Sequence, residues 1–202
     1  MKSYPSIPKD IPTSEFVAFG KLDGSNIRAE WSPKKGFYKF GTRTKLIDAS
    51  TPVFGKAINL ILALQPKLDP ILKNLKVESV VTYWEFLGLN SFAGQHDPND
   101  EHQVVLIDVD RYKKGFIPPL EFISLFQNIV PIPPVLFTGE FNPEFHDQVL
   151  NGTLPNMPFE GVICKLTTQP RIYTQYKIKN KAWIQKVHSM YGHDPALLNQ
   201  IL

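Results

Sequence analysis

A buried β-strand that ends on a lysine is the feature that most constrains this chain. Residues 16–19 are apolar and rich in strand-forming side chains, and Gly20 is expected to stop the strand just before Lys21. A lysine at such a position is unusual because the desolvation of its charge is costly. A desolvated lysine near other cations loses its proton more easily and can act as a nitrogen nucleophile. The pattern therefore predicts a reactive amine at Lys21.

The residues after this lysine predict a tight turn suited to a ligand. The stretch reads Lys21-Leu22-Asp23-Gly24-Ser25-Asn26. Gly24 lets the backbone approach a bound group closely, and Ser25 and Asn26 can donate hydrogen bonds to it.

This K-x-D-G-S-N pattern resembles the nucleophile motif of the covalent nucleotidyltransferases, the polynucleotide ligases and mRNA capping enzymes. In that superfamily the lysine attacks the α-phosphorus of a nucleoside triphosphate and carries the nucleotide as a lysyl phosphoramidate. The resemblance implies that Lys21, Asp23, Gly24 and Asn26 bind the nucleotide. A K-x-D-G tetrapeptide alone is more often a surface turn, but the family's other motifs follow here in the expected order.

Two glutamates stand where the superfamily places carboxylates. Glu85 lies in an apolar strand followed by Gly88, which resembles the E-x-x-G motif whose glutamate accepts hydrogen bonds from the ribose hydroxyls. Glu160 opens a stretch that resembles E-G-V-[IV]-x-[KR]. There the resemblance implies that Glu160 helps hold a divalent cation and that Val162 packs beneath the purine. The alternatives are an outward-facing glutamate at 85 and an ordinary charged strand start at 160.

Three further cations complete the implied site. Lys177 and Lys179 alternate on a predicted strand, so they share one face. They could be solvated residues of an edge strand, whereas the family's K-x-K lysines contact the α-phosphate and stabilise its developing charge. Arg43 follows a predicted hairpin where the family has a basic residue that touches the ribose or the incoming 5′-phosphate, although Lys39 and Lys45 lie close by.

Other reactive side chains are interpreted as structural. A polar loop is predicted for the histidines and carboxylates at 96, 97 and 100–102, because their spacing fits no metal site. Cys164 lies in a predicted strand and is expected to be a core residue. The predicted strand 103–109 lacks the aromatic that relatives place over the adenine, and Ile107 could substitute for it.

The hydrophobic pattern predicts an α+β fold of two mainly antiparallel sheets flanked by helices, and the family fold binds the nucleotide between two such sheets. Strands are expected at 16–19, 27–31, 37–40, 80–87, 103–109, 135–141, 159–166 and 172–179. Helices are expected at 51–66, where Pro66 should end the first, and at 118–130, 143–150 and 181–191, with helical turns at 70–75 and 196–202. Residues 1–202 are predicted to form one domain, with residues 1–15 as an extended N-terminal arm.

Charge and composition place few limits on the partners. The net charge of +3 permits a nucleic-acid partner without requiring one. A single cysteine and the lack of a signal peptide or membrane-length apolar run predict a cytoplasmic protein, or one of the host cytoplasm if it is of phage origin.

Within the superfamily, the pattern most resembles the bacteriophage-type ATP-dependent RNA ligases. Asn26 replaces the arginine of DNA ligases and capping enzymes, and about 20 residues follow Lys181, too few for their C-terminal OB domain. The resemblance implies ATP, Mg²⁺ or Mn²⁺, RNA ends or a nicked duplex, and a separate protein in place of the missing domain. A minimal DNA nick ligase and a nucleotide- or RNA-end-binding module without turnover remain as alternatives.

Overall fold

The structure, a computed structural model, describes residues 1–9, 14–89, 99–167 and 175–201. Its strands are β1 (Phe16–Lys21), β2 (Ser25–Ser32), β3 (Gly36–Thr42), β4 (Leu46–Ile47), β5 (Val80–Leu87), β6 (Gln103–Arg111), β7 (Gly115–Phe116), β8 (Val135–Gly139), β9 (Gly161–Leu166) and β10 (Gln175–Lys179). Its helices are α1 (Gly55–Asn74), α2 (Pro119–Phe126), α3 (Pro143–Asn151), α4 (Lys181–Tyr191) and α5 (Pro195–Ile201). The predicted α+β class with two antiparallel sheets is confirmed.

The chain divides into two compact units, each built on one sheet. The first unit contains Met1–Ser6 and the described part of Asp23–Pro133. The second contains the described parts of Ile7–Leu22, Pro134–Thr168 and Thr174–Leu202. The single-domain organisation stays a prediction.

The first unit is a six-stranded sheet in the order β4-β3-β2-β5-β6-β7. One face is apolar, and Trp31 on that face donates a 2.9 Å hydrogen bond from its indole to Asp69 of α1. The residues of this core are fully buried: Ile27, Ala29, Trp31, Trp84, Phe86 and Leu106. Since side chains alternate along a strand, the other face of the sheet receives the polar residues of β2, β5 and β6.

Helix α1 corrects one expectation, because it continues through both Pro66 and Pro70 to Asn74. The two prolines are exposed and lie four residues apart, so they occupy one solvent face of the helix. The carbonyls left without an N–H partner there can accept from water, while Leu68 and Leu72 keep the opposite side buried. Burial of the apolar stripe outweighs the helix-breaking preference of proline.

Residues 1–4 lie on the polar face of this first sheet. The Tyr4 hydroxyl donates to the Asp108 carboxylate, and Lys2 Nζ lies 2.7 Å from Asp110 Oδ2. Arg28 Nη1 donates a 2.9 Å hydrogen bond to the carbonyl of Met1. These contacts fix the start of the chain onto buried charged residues of β2 and β6.

The second unit is a four-stranded antiparallel sheet in the order β10-β9-β1-β8. Helix α3, capped by Asn142 through a 2.8 Å hydrogen bond from Phe145 N, covers one face. The core beneath it comprises Phe16, Ala18, Phe145, Val149, Leu154, Val162, Cys164, Leu166 and Ile178. Cys164 is therefore a core residue, as predicted.

Gly20 does not stop β1, which continues through it to Lys21. A Cβ at residue 20 would lie 2.7 Å from the Pro158 ring and 2.8 Å from the Pro134 ring, so the lack of a side chain at Gly20 allows close packing here.

Several other element boundaries differ from the predicted ones by a few residues: β6 extends to Arg111, α2 ends at Phe126, β8 ends at Gly139 and β9 begins at Gly161. The part of the predicted last strand at 172–174 lies outside the described residues.

Within the described ranges no helix is both long and apolar enough to cross a membrane. The cytoplasmic location stays a prediction.

Candidate active site

The second unit brings Lys21, Glu160 and Lys179 together. On β9, Gly161 pairs with Lys21 of β1 on one side and with Lys179 of β10 on the other, so the two lysines flank a residue without a side chain. Glu160 Oε1 accepts from both, at 2.8 Å from Lys21 Nζ and 3.1 Å from Lys179 Nζ. One buried carboxylate therefore stands between two ammonium groups.

The backbone around Glu160 explains this arrangement. Gly161 has a φ of +134°, and a Cβ there would collide with the carbonyl oxygen of Ile178, so only glycine fits between the lysines. Gly161 N donates to Pro158 O at 3.2 Å and closes a turn, and Asn180 N donates to Glu160 O at 3.0 Å. The glutamate is only 4% exposed, and such burial is tolerated because charged donors satisfy its oxygen.

Lys179 is the more deeply buried of the two lysines. The pKa of Lys179 is lowered to about 8, chiefly by burial and also by the positive charges of Lys21 and Lys177, while Glu160 opposes the shift. Lys179 Nζ also lies 4.1 Å from the centre of the Trp183 ring. The helix predicted at 181–191 includes Trp183 but does not indicate this contact, and the position of Trp183 four residues after Lys179 was the available signal.

Lys177 lies two residues before Lys179 on β10 and therefore shares its face of the sheet. It pairs with Ile163 of β9, which in turn pairs with Phe19 of β1. Lys177 is half-buried and close enough for its charge to act on Lys179. The face of the sheet away from α3 therefore carries four lysines, Lys21, Lys165, Lys177 and Lys179, and two of them, Lys21 and Lys179, bind Glu160.

The implied position of Val162 beneath a purine needs correction. Val162 is fully buried in the core under α3, on the face opposite to Lys21 and Lys179. Because side chains alternate along β9, the half-buried Ile163 is the neighbour that shares the lysine face. If the motif assignment holds, the apolar contact for a purine belongs to Ile163 rather than to Val162.

In the first unit, Glu85 and Gly24 form a separate polar contact. Glu85 Oε1 accepts a 3.0 Å hydrogen bond from the backbone N–H of Gly24. A Cβ on Gly24 would lie 2.5 Å from the carbonyl oxygen of Phe86, so this approach of β2 to β5 needs glycine. Glu85 pairs with Asn26 across the strands, which puts both side chains on the polar face.

Asn26 has two buried side-chain atoms without a hydrogen-bond partner among the described residues. These atoms are the amide nitrogen Nδ2 and the amide oxygen Oδ1. A buried amide without partners is costly, and native structures rarely leave one so. A ligand hydroxyl could satisfy both atoms, because it can accept from Nδ2 and donate to Oδ1.

The other residues of the first unit that the sequence analysis singled out differ in their exposure to solvent. Asp23 is half-buried just before Gly24, and Arg43 is exposed in the short loop between β3 and β4. Ile107 is half-buried at an irregularity in the pairing of β5 with β6. His102 stacks on Phe86 with ring centres 5.0 Å apart, and its ring nitrogen lies 2.7 Å from Leu89 O, which gives it a packing role.

His96 and Asp97, which were interpreted as part of a polar loop rather than of a metal site, lie outside the described residues. Within the residues that the structure covers, no group of three histidines, cysteines or carboxylates could hold a metal ion. Glu160 therefore belongs to no such group among the described residues, and a single carboxylate fits Mg²⁺ or Mn²⁺ bound mainly by phosphate oxygens and water rather than by an all-protein cage.

A family model described as RNA ligase matches residues 14–183. The chain belongs to the RNA ligase family. The match includes the Lys21 motif, both glutamates and the paired lysines of β10. A search of curated proteins returns no match.

Solved structures of one RNA ligase share the fold of this family member. A Naegleria gruberi RNA ligase mutant with ATP and Mn superposes with a TM-score of 0.65 at 17% identity, covering 91% of this chain and 59% of that one. A second mutant with ATP and Mn gives 0.63 at 18% identity, with 86% and 51% covered. A third, with AMP and Mn, gives 0.63 at 16% identity, with 91% and 59% covered. The chain therefore spans between half and three-fifths of the length of these ligases.

Proposed function

We propose that the chain is the nucleotidyltransferase part of an ATP-dependent RNA ligase that joins 5′-phosphate and 3′-hydroxyl RNA ends. The observation that carries the proposal is the amine of Lys21, held 2.8 Å from Glu160, whose carboxylate also binds Lys179. Family membership and structural neighbours that contain ATP or AMP with Mn support it. ATP is a substrate here, and AMP is the group transferred.

In the first step Lys21 Nζ attacks the α-phosphorus of ATP. The P–N bond forms, the P–O bond to pyrophosphate breaks, and the amine loses a proton. An ordinary lysine pKa near 10.4 makes the neutral amine cost about 4.6 kcal/mol at pH 7. The positive charges of Lys177 and Lys179 would stabilise the negative charge that develops on the phosphate.

Glu160 has two roles in this scheme. In the absence of nucleotide its carboxylate holds Lys21 and Lys179 in place through Oε1. With nucleotide it would hold Mg²⁺ or Mn²⁺, which supplies charge neutralisation for the phosphates when bound.

The sugar and the base are assigned to different residues. We assign the ribose hydroxyls to Glu85 and Asn26, since Glu85 is an acceptor fixed by Gly24 and Asn26 has unsatisfied polar atoms. Ile163 replaces Val162 as the apolar contact for the purine, because it shares the lysine face of β9. Asp23 and Arg43 stay as proposed nucleotide contacts from the resemblance alone.

Two further steps would complete the reaction. AMP passes from Lys21 to the 5′-phosphate of an RNA end, which forms a pyrophosphate linkage and frees the lysine. The 3′-hydroxyl of the second end then attacks that activated phosphate, the phosphodiester forms, and AMP leaves.

The decisive substrate experiment compares RNA with DNA. Pre-adenylylated nicks with RNA or DNA on the 3′-hydroxyl side are sealed side by side, because the 2′-hydroxyl is what distinguishes the two. We expect faster sealing of RNA, with a steep fall in rate as salt rises. Equal rates or a preference for DNA would favour a nick ligase.

A further inference from the structure

The turn that buries Glu160 also exposes the aromatic ring of Phe159 to solvent. Phe159 and Glu160 are the two central residues of the turn closed by the hydrogen bond from Gly161 N to Pro158 O. Glu160 is 4% exposed, whereas Phe159 is 50% exposed. The turn is fixed on both sides, since Pro158 packs closely against Gly20 and the Glu160 carbonyl accepts from Asn180. Phe159 is therefore presented on a rigid support directly beside the reactive centre.

Helix α4 supplies positive charge at this ring. Lys186 Nζ lies 5.6 Å from the centre of the Phe159 ring. Lys181, Lys186 and His188 are exposed on α4, and the sequence of this helix contains no aspartate or glutamate. The surface beside Phe159 is thus suited to a negatively charged ligand and unsuited to a basic one.

We propose that Phe159 and Lys186 form a stacking site for a nucleobase of the RNA end, a proposal that rests on the proposed function. The ring offers a flat apolar face to a base, and the ammonium of Lys186 contacts the adjoining phosphate. Aromatic side chains and lysines in this combination are the common means by which proteins hold single-stranded nucleic acid without reading its sequence. Because Phe159 directly precedes Glu160, a base stacked there would bring the RNA end beside Lys21.

The first measurement is binding of a short 5′-phosphorylated single-stranded RNA that carries a fluorescent label at its 3′ end. Without ATP, Phe159→Ala should weaken binding about tenfold, while Phe159→Trp should restore or exceed wild-type affinity, as expected of stacking. Lys186→Met should lower the slope of log affinity against log salt by about one. Tyr112→Ala is the matched control, since Tyr112 is an exposed ring of the other unit with Lys113 Nζ 4.9 Å from its centre.

A second measurement separates stacking of one base from non-specific electrostatic binding of the RNA. Each base of the RNA is replaced in turn by an abasic nucleotide. Wild type should lose affinity at one position, and Phe159→Ala should lose none at that position because the partner ring is already gone. In AMP transfer from the enzyme to RNA, the loss in Phe159→Ala should exceed its loss in self-labelling by ATP.

Equal RNA affinity of wild type and Phe159→Ala would overturn the stacking site, as would failure of wild type to bind RNA at all. A uniform loss at every abasic position, or an equal loss in Tyr112→Ala, would do the same. These outcomes are distinct from failure of the proposed function, which is the absence of AMP on Lys21. A position-specific loss without any AMP labelling would retain the RNA site and refute the ligase.

Discussion

The ammonium of Lys179 lies 4.1 Å from the centre of the Trp183 ring and 3.1 Å from Glu160. The two contacts hold one buried cation between an anion and an aromatic face. Trp183 is 2% exposed, and Asn180 caps its helix by accepting from Ala182 N, so the ring is firmly placed. The geometry makes Trp183 a positioning residue for Lys179.

Trp183→Leu should lower self-adenylylation with ATP by roughly 2- to 30-fold, the range that corresponds to loss of a cation–π contact of about 0.5–2 kcal/mol. Trp183→Phe should recover most of the rate because it keeps an aromatic face. Val187→Ala, a second buried residue of α4, is the control: it should lower the melting temperature and leave the rate at low temperature intact. Equal rates for the leucine and phenylalanine variants would show that the ring acts only through packing.

Gly161→Ala should abolish labelling and destabilise the fold. The new Cβ would collide with the Ile178 carbonyl in a backbone conformation that alanine rarely adopts. Gly115→Ala is a close control, because Gly115 also has positive φ but has nothing within 4 Å of the added Cβ. Thermal unfolding should show a clearly larger loss for Gly161→Ala, and similar losses in the two variants would contradict the close-approach argument.

Glu85→Ala should raise the KM for ATP well beyond any loss of stability, since the Gly24 N–H loses its acceptor and the ribose loses a charged one. Glu30→Ala is the comparison on the same strand pair, where Glu30 accepts from the exposed Tyr38 hydroxyl at 2.7 Å. Initial labelling rates across a range of ATP concentrations measure the effect. Unchanged KM in Glu85→Ala would make Glu85 an ordinary strand residue.

Cys164 should resist alkylation at pH 8 in the folded protein. The side chain is fully buried, and burial raises the pKa of its thiol to about 12, so the reactive thiolate is scarce at that pH. Denaturation should expose the thiol and restore its ordinary reactivity toward iodoacetamide. Rapid alkylation of native protein, followed by mass spectrometry, would contradict its position in the core.

The sequence predicted which residues make up the proposed site, but it did not predict how they pack. Lys21, Glu160 and Lys179 were selected because a nucleophile and its charge partners require particular residue types in a fixed order. Their meeting at Gly161 depends on strand register, which motif order alone does not specify. The proposed purine contact moves from Val162 to Ile163 for a related reason, because consecutive residues of a strand point to opposite faces of the sheet.

Local propensity failed where tertiary contacts decide the structure. Pro66 was expected to end α1, but the buried stripe through Leu68 and Leu72 extends the helix past it. Gly20 was expected to end β1, whereas its missing side chain makes room for Pro158 and Pro134. Trp183 could be assigned to a helix from spacing, but its contact with Lys179 required the fold.

The most direct test of the central claim is the intact mass of the protein after incubation with ATP and Mg²⁺. We expect the addition of one AMP, mapped to Lys21 by peptide fragmentation, with an acid-labile and alkali-stable bond typical of a phosphoramidate. Lys21→Ala should remain folded, as judged by its melting curve, and should gain no mass. AMP on another residue, an adduct on Lys21→Ala, or a wild-type protein that stays unmodified would contradict the account.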